Sequence, residues 1–213
     1  MSYKTKQIDF WEGDFGKDYT IRNKYSINEF DDFYIETWGI SRSDINKEFL
    51  NNLDRDIKIL EVGCNRGQQL RHLQNIGFTN LYGIELQSDA VEKSKQSTNN
   101  INIIQGNAFD IPFKDNWFDL VFTSGVLIHI SPDDLKQAIN EIYRCTKKYI
   151  WGFEYFSENL KEINYRGNSG FLWKQNFSDI FLKNFNNLKL LKEKRYKYLN
   201  DENIDQMYLL AKN

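Results

Sequence analysis

Ile59-Leu60-Glu61-Val62-Gly63-Cys64-Asn65-Arg66-Gly67 decides the fold class of this chain. The apolar run Ile57–Val62 stops at a glycine, the pattern of a short buried strand. Gln68–Asn75 then reads as a helix ended by Gly77. Gly63 lets the backbone turn sharply after the strand. Gly67 is expected to admit a ligand to the helix start, where free N–H groups point outward. A strand, a glycine turn and a helix in this order mark the place where doubly wound sheets bind ligands. The spacing is not Gly-x-Gly-x-x-Gly, because Asn65 holds the middle position and Gln68 follows Gly67.

The same alternation continues outward. Leu81–Leu86, Ile101–Gln105, Phe118–Thr123 and Lys148–Phe153 are strand-like. Between them, Ser88 and Asp89 are expected to cap a helix through about Gln96. Ser131 and Pro132 open a second helix that runs to Thr146. Repeated strand–helix units with near-continuous apolar strands predict an α/β fold, a parallel sheet covered by helices on both faces. Downstream, residues 154–170 read as an active-site loop, Asn176–Asn184 as a helix, and Leu188–Leu199 and Asp205–Leu210 as an antiparallel pair closing the sheet edge. Residues 1–50 are polar and aromatic and lack a buried-strand run, which predicts a helical N-terminal cap or lid over a domain spanning 51–213. Gly13 and Gly16 are expected to mark a turn inside that cap.

Composition narrows the function. The chain has 213 residues, 40% hydrophobic and 27% charged, with 28 basic against 30 acidic side chains. That balance offers no general attraction for nucleic acid. The one basic run, Lys192–Lys197, is interrupted by Glu193 and Tyr196 and reads as a solvated face. No apolar stretch approaches the roughly 20 residues of a membrane span, and no secretory leader is visible. Cys64 and Cys145 are too few for a disulfide scaffold and fit a reducing cytoplasm. Two histidines, His72 and His129, argue against a zinc site.

Around the glycine turn, other residues converge on a cofactor. Glu85 ends the second strand, where a carboxylate can accept both hydroxyls of a ribose. Gly106-Asn107-Ala108-Phe109 follows the third strand, at a place suited to an adenine ring. Together these residues resemble the motifs of class I S-adenosylmethionine-dependent methyltransferases. Glu61, Gly63 and Gly67 match that family's strand-one signature, Glu85 its acidic ribose ligand, and Gly106-Asn107-Ala108 its Gly-Asp-Ala, with Asn in place of Asp. Asn107 keeps a hydrogen bond to adenine available but changes its donor and acceptor pattern. The resemblance implies a Rossmann-like, mostly parallel seven-stranded sheet with an antiparallel edge strand. It also implies S-adenosyl-L-methionine held by Glu61, Gly63, Cys64, Gly67, Glu85, Leu86, Asn107, Ala108 and Ser124, and by Tyr19 and Arg22 of the cap.

The chain ends carry a narrower likeness. Phe10-Trp11-x-Gly13-x-Phe15-Gly16-x-x-Tyr19-x-x-Arg22-Asn23, Gly125–Ile130, Glu154-Tyr155 and Tyr165-Arg166-Gly167 resemble the pseudaminic acid biosynthesis-associated methylases. That likeness implies a bacterial enzyme modifying a sugar or nucleotide-linked sugar at oxygen or nitrogen. Methyl transfer from a sulfonium is an in-line displacement in which alignment does much of the work and a base assists a hydroxyl or ammonium acceptor. His129, beyond the fourth strand, is the candidate base, with helix capping as its alternative role. Glu154 is a second candidate base, or an ion-pair partner of Arg166. Arg166 itself can hold a carboxylate or phosphate with its planar fork. Trp11, Tyr19, Arg22 and Asn23 are expected to close over the cofactor. A methyltransferase for RNA or protein, and a non-catalytic cofactor-binding module, are the competing functions.

Overall fold

Period-two alternation along each strand sorts the apolar side chains onto the two faces of one sheet. The computed structural model describes residues 3–213; residues 1 and 2 of the expected cap lie outside them. The main strands are β1 (Lys58–Val62), β2 (Asn80–Glu85), β3 (Ile101–Gln105), β4 (Phe118–Ser124) and β5 (Thr146–Tyr155). A two-stranded ribbon follows, β6 (Lys161–Glu162) with β7 (Trp173–Lys174), and then β8 (Leu188–Lys197) and β9 (Ile204–Lys212). The seven-stranded sheet has the order β3-β2-β1-β4-β5-β9-β8. β1 to β5 pair in parallel, and β9 runs antiparallel between β5 and the edge strand β8. The order reverses at β1 and β4, so a crevice opens beyond their carboxyl ends.

Among the described residues eight α-helices surround the sheet: α1 (Lys6–Glu12), α2 (Asp14–Arg22), α3 (Ile27–Trp38), α4 (Arg42–Leu50), α5 (Gln68–Asn75), α6 (Ser88–Ser97), α7 (Pro132–Cys145) and α8 (Phe177–Asn184). On one face Leu60, Val121, Ile150 and Leu210 meet Ile139 and Ile142 of α7 and Phe177 and Phe181 of α8. On the other, Ile59, Phe122, Trp151 and Leu209 meet Ile45 and Leu50 of α4 and Leu70 and Leu73 of α5. Each such side chain contributes about 1.5–3 kcal/mol through burial. No helix among the described residues is long and apolar enough to cross a membrane.

Several local expectations change. α3 and α4 are helical as expected, but Ile45, Phe49 and Leu50 of α4 are part of the domain core. α1 and α2 are the helices that border the crevice. Gly13 does separate α1 from α2, whereas Gly16 lies inside α2: a Cβ there would fall 1.9 Å from the Trp11 carbonyl oxygen. The helix expected from Ser88 has Gln87 as its N-cap, without a side-chain capping bond. β5 runs two residues beyond the expected Phe153, which carries Glu154 and Tyr155 into the sheet.

Candidate active site

The turn after β1 is built from left-handed residues. Gly63 has φ +74°, and a Cβ there would sit 2.7 Å from Val126 Cγ2. Asn65 takes φ +46°, so an asparagine fills the middle position in the conformation that residue type tolerates best after glycine. Its N–H donates to Glu85 Oε2 at 2.8 Å, and its Nδ2 donates to Thr20 Oγ1 at 2.8 Å, tying α2 to the turn. Gly67 caps α5 at φ +75°, but it does not line the cleft. A Cβ there would meet Ile103 Cδ1 at 2.8 Å, so this glycine serves backbone conformation and packing rather than ligand approach.

A cleft of about 210 Å³ lies beyond this turn, and Glu61, Gly63, Cys64, Glu85, Leu86, Asn107, Ala108, Ser124 and Tyr19 all line it. Glu85 accepts the Gln87 N–H at 2.9 Å through Oε1, so backbone amides fix both carboxylate oxygens. Burial raises its pKa against those bonds. Asn107 Oδ1 accepts the N–H groups of Phe109 at 2.8 Å and Asp110 at 3.0 Å. The amide oxygen is thus used by the loop, and the Nδ2 hydrogens are what this side chain has left to offer. Cys64 is buried, and its thiol is pushed well up by burial, which makes it a small filler beside the turn.

No motif in the sequence points to the polar floor below Ser124. Arg42 of α4 is fully buried, donates from Nη1 to Tyr34 Oη at 3.0 Å and Ser124 Oγ at 3.4 Å, and stands over the rings of Trp151 and Phe153. Gln69 Nε2 donates to the same Ser124 oxygen at 3.4 Å. Glu61 Oε2 and Gln69 Oε1 are buried acceptors without protein partners, and Arg42 Nε and Nη2 are buried donors without them. Glu61 and Gln69 line the cleft, so their free oxygens suit a cationic amino group. A fixed carboxylate at Glu85, an amide donor at Asn107 and unpaired acceptors at the floor are groups that fit the parts of S-adenosylmethionine.

The opposite end of the cleft is aromatic. A short 3-10 turn, Leu127–His129, follows β4 and sets His129 between Trp11 at 4.7 Å and Tyr165 at 4.9 Å between ring centroids. His129 Nδ1 lies 2.7 Å from the Phe171 carbonyl oxygen. A carbonyl only accepts, so Nδ1 carries the hydrogen and Nε2 carries the lone pair in the neutral ring. Burial lowers the His129 pKa to about 4, opposed by the Phe171 bond. Trp11 Nε1 is buried without a partner in the same cleft.

Three expected site residues lie elsewhere. Glu154 is 1% exposed and outside the cleft; it accepts the N–H of Val126 at 3.2 Å and of Ile128 at 3.4 Å, so it holds the turn that carries His129. Burial raises its pKa to about 7 against those bonds. It forms no ion pair with Arg166, because Arg166 is exposed at φ +51° in a tight turn closed by Tyr165 and Asn168. Arg22 is exposed as well, over the Phe15 ring at 5.8 Å, and does not line the cleft. Trp11 and Asn23 of the expected lid do line it.

Residues 60–149 match the family model of a methyltransferase domain. An uncharacterized methyltransferase of Synechocystis is 32% identical over 90 residues, covering 42% of this chain and 42% of its own length. The phosphoethanolamine N-methyltransferase of Plasmodium falciparum is 22% identical over 207 residues, covering 85% of this chain and 76% of that protein. The chain spans about two fifths of the length of the first curated relatives it matches. Among solved structures, the magnesium protoporphyrin IX methyltransferase of Synechocystis with bound S-adenosylhomocysteine has the same fold. Its TM-score is 0.69 at 14% identity, over 96% of this chain and 97% of that one. Residues 60–149 thus match a methyltransferase domain, and the whole chain shares the fold of a solved methyltransferase.

Proposed function

We propose that this chain transfers a methyl group from S-adenosylmethionine to an oxygen or nitrogen of a small polar acceptor, a sugar or nucleotide-linked sugar. One observation carries the reading: a single cleft joins the Glu85 carboxylate and the unpaired Glu61 and Gln69 oxygens to an aromatic end holding His129. When bound, the cofactor supplies a methyl group already activated on a sulfonium. Glu85 and Asn107 orient the nucleoside, and Glu61 and Gln69 receive the amino group. His129 Nε2 would take the proton of the reacting hydroxyl or amine and so aim that acceptor's lone pair at the methyl carbon, whose bond to the sulfonium sulfur breaks as the new bond forms. Trp11 Nε1 donates to the same acceptor. α1 and α2 act as a lid whose rings exclude water from the transfer.

The sugar class rests on the resemblance of the chain ends and on the ring faces of Trp11 and Tyr165 beside His129. A nucleic-acid acceptor is disfavoured: within the basic run on the edge strand β8, Lys192 and Lys194 pair with Glu48 of α4. Cys64 and Cys145 are free thiols, which accords with a reducing cytoplasm. Incubation with S-adenosylmethionine and a panel of nucleotide sugars and sugar acids, read by mass spectrometry, tests the proposal. A methylated product is expected. Silence across the panel with cofactor binding intact would send the search to lipids, glycan polymers and proteins.

A further inference from the structure

The chain has eight arginines. Arg55, Arg71, Arg144 and Arg195 are each satisfied by carbonyl or carboxylate oxygens, and Arg42 is buried in the floor. Arg22, Arg66 and Arg166 have no such oxygen partner among the described residues. One of the three lines the cleft, and the other two are exposed outside its lining. Arg66 lines the cofactor end. Arg22 and Arg166 flank the aromatic end: Arg22 lies over Phe15, Phe15 packs on Tyr165 at 5.5 Å, and Tyr165 packs on His129 at 4.9 Å. Arg166 follows Tyr165 directly.

The turn that presents Arg166 is fixed. Tyr165 and Asn168 exchange backbone hydrogen bonds of 2.8 and 3.0 Å, and Asn164 Oδ1 accepts the Gly167 N–H at 2.9 Å. Arg166 itself adopts a left-handed backbone, which costs a non-glycine residue energy and recurs at functional positions. Asp9, Glu12 and Asp18 on α1 and α2 form no ion pair with either guanidinium, and Asp14 is taken by Lys17. Because the chain is net −2, this cationic rim is a local feature and not a general basicity.

We infer that the methyl acceptor is an anion, a small molecule bearing a carboxylate or a phosphate that is gripped between Arg22 and Arg166 while its reacting group lies at His129 Nε2. The inference rests on the methyltransferase reading above and names its substrate class. Guanidinium groups bind both anions through paired N–H donors, and the aromatic rings between them exclude water from those bonds.

Titration calorimetry on the whole chain saturated with S-adenosylhomocysteine tests it. The probes are N-acetylneuraminic acid for a carboxylate, UDP-N-acetylglucosamine for a phosphate and N-acetylglucosamine as the neutral control. At least one anionic probe is expected to bind about tenfold or more tighter than the neutral sugar. The variant Arg22→Gln/Arg166→Gln is expected to abolish that preference while its S-adenosylhomocysteine affinity stays at the wild-type value. Which anionic probe responds separates carboxylate from phosphate recognition. Equal binding of all three probes, binding of none, or a preference that survives in the double variant overturns the inference and leaves the methyltransferase reading standing. Failure of S-adenosylhomocysteine to bind the wild-type chain overturns the reading beneath it.

Discussion

His129 donates from Nδ1 to the Phe171 carbonyl at 2.7 Å, and this bond decides what the imidazole can do. It fixes the tautomer and leaves the Nε2 lone pair free in the ring that faces Trp11 and Tyr165. Glu154 completes the arrangement from below by holding the amides of the turn that carries the ring.

His129 must be neutral to accept a proton. Its pKa is lowered from 6.5 to about 4 by burial, so the neutral form persists as pH falls from 7 to near 5. The acid limb of kcat/KM is therefore expected near pH 4, measured where circular dichroism shows the chain still folded. A limb near 6.5 would contradict the buried, Phe171-bonded ring. His129→Ala is expected to lower kcat by about 100-fold or more, with S-adenosylhomocysteine affinity close to wild type.

Gly63 carries two constraints at once, a φ of +74° and the approach of Val126 Cγ2 to 2.7 Å of any Cβ. Gly63→Ala should destabilise the fold by about 1–3 kcal/mol and weaken cofactor binding. Urea denaturation and calorimetry on one preparation measure both. Wild-type values in the variant would show that the turn does not need its glycine.

Asp205 on β9 is buried with Oδ1 unpaired, and burial raises its pKa from 3.8 to about 8. A folded-state pKa above the unfolded value gives stability that is present at low pH and lost as pH rises toward 8. The loss is at most about 1.4 kcal/mol per pH unit in that window. Glu154, raised from 4.5 to about 7, acts in the same direction. Unfolding free energy should therefore fall between pH 5 and 8, and Asp205→Asn should flatten the fall. An unchanged slope in the variant would show that Asp205 ionises freely in the folded state.

The sheet was legible because β1 to β5 are apolar runs broken by turn residues, with helices between them of the right length. The residues proposed to hold the cofactor were picked out for a related reason: Gly63, Glu85 and Asn107 sit at or just beyond strand ends, where backbone geometry restricts the residue type. Gly67 was found for a reason that proved incomplete, since Ile103 rather than a ligand occupies the space beside it. The floor was not legible. Arg42 lies in Arg42-Ser43-Asp44-Ile45-Asn46, a polar segment with no sign that its arginine is fully buried. Glu154 misled because a carboxylate at a strand end looks alike whether it faces a substrate or a backbone turn. Only tertiary contacts separate the two.

Isothermal titration of S-adenosylhomocysteine into the wild-type chain and into Glu85→Gln tests the central claim most directly. The wild-type chain should bind one equivalent. Glu85→Gln should bind about tenfold or more weakly, because a carboxylate accepting ribose hydroxyls makes charge-assisted bonds that a neutral amide does not. Absence of binding to a folded wild-type chain, or equal affinity in the two proteins, would contradict the assignment of this cleft to S-adenosylmethionine.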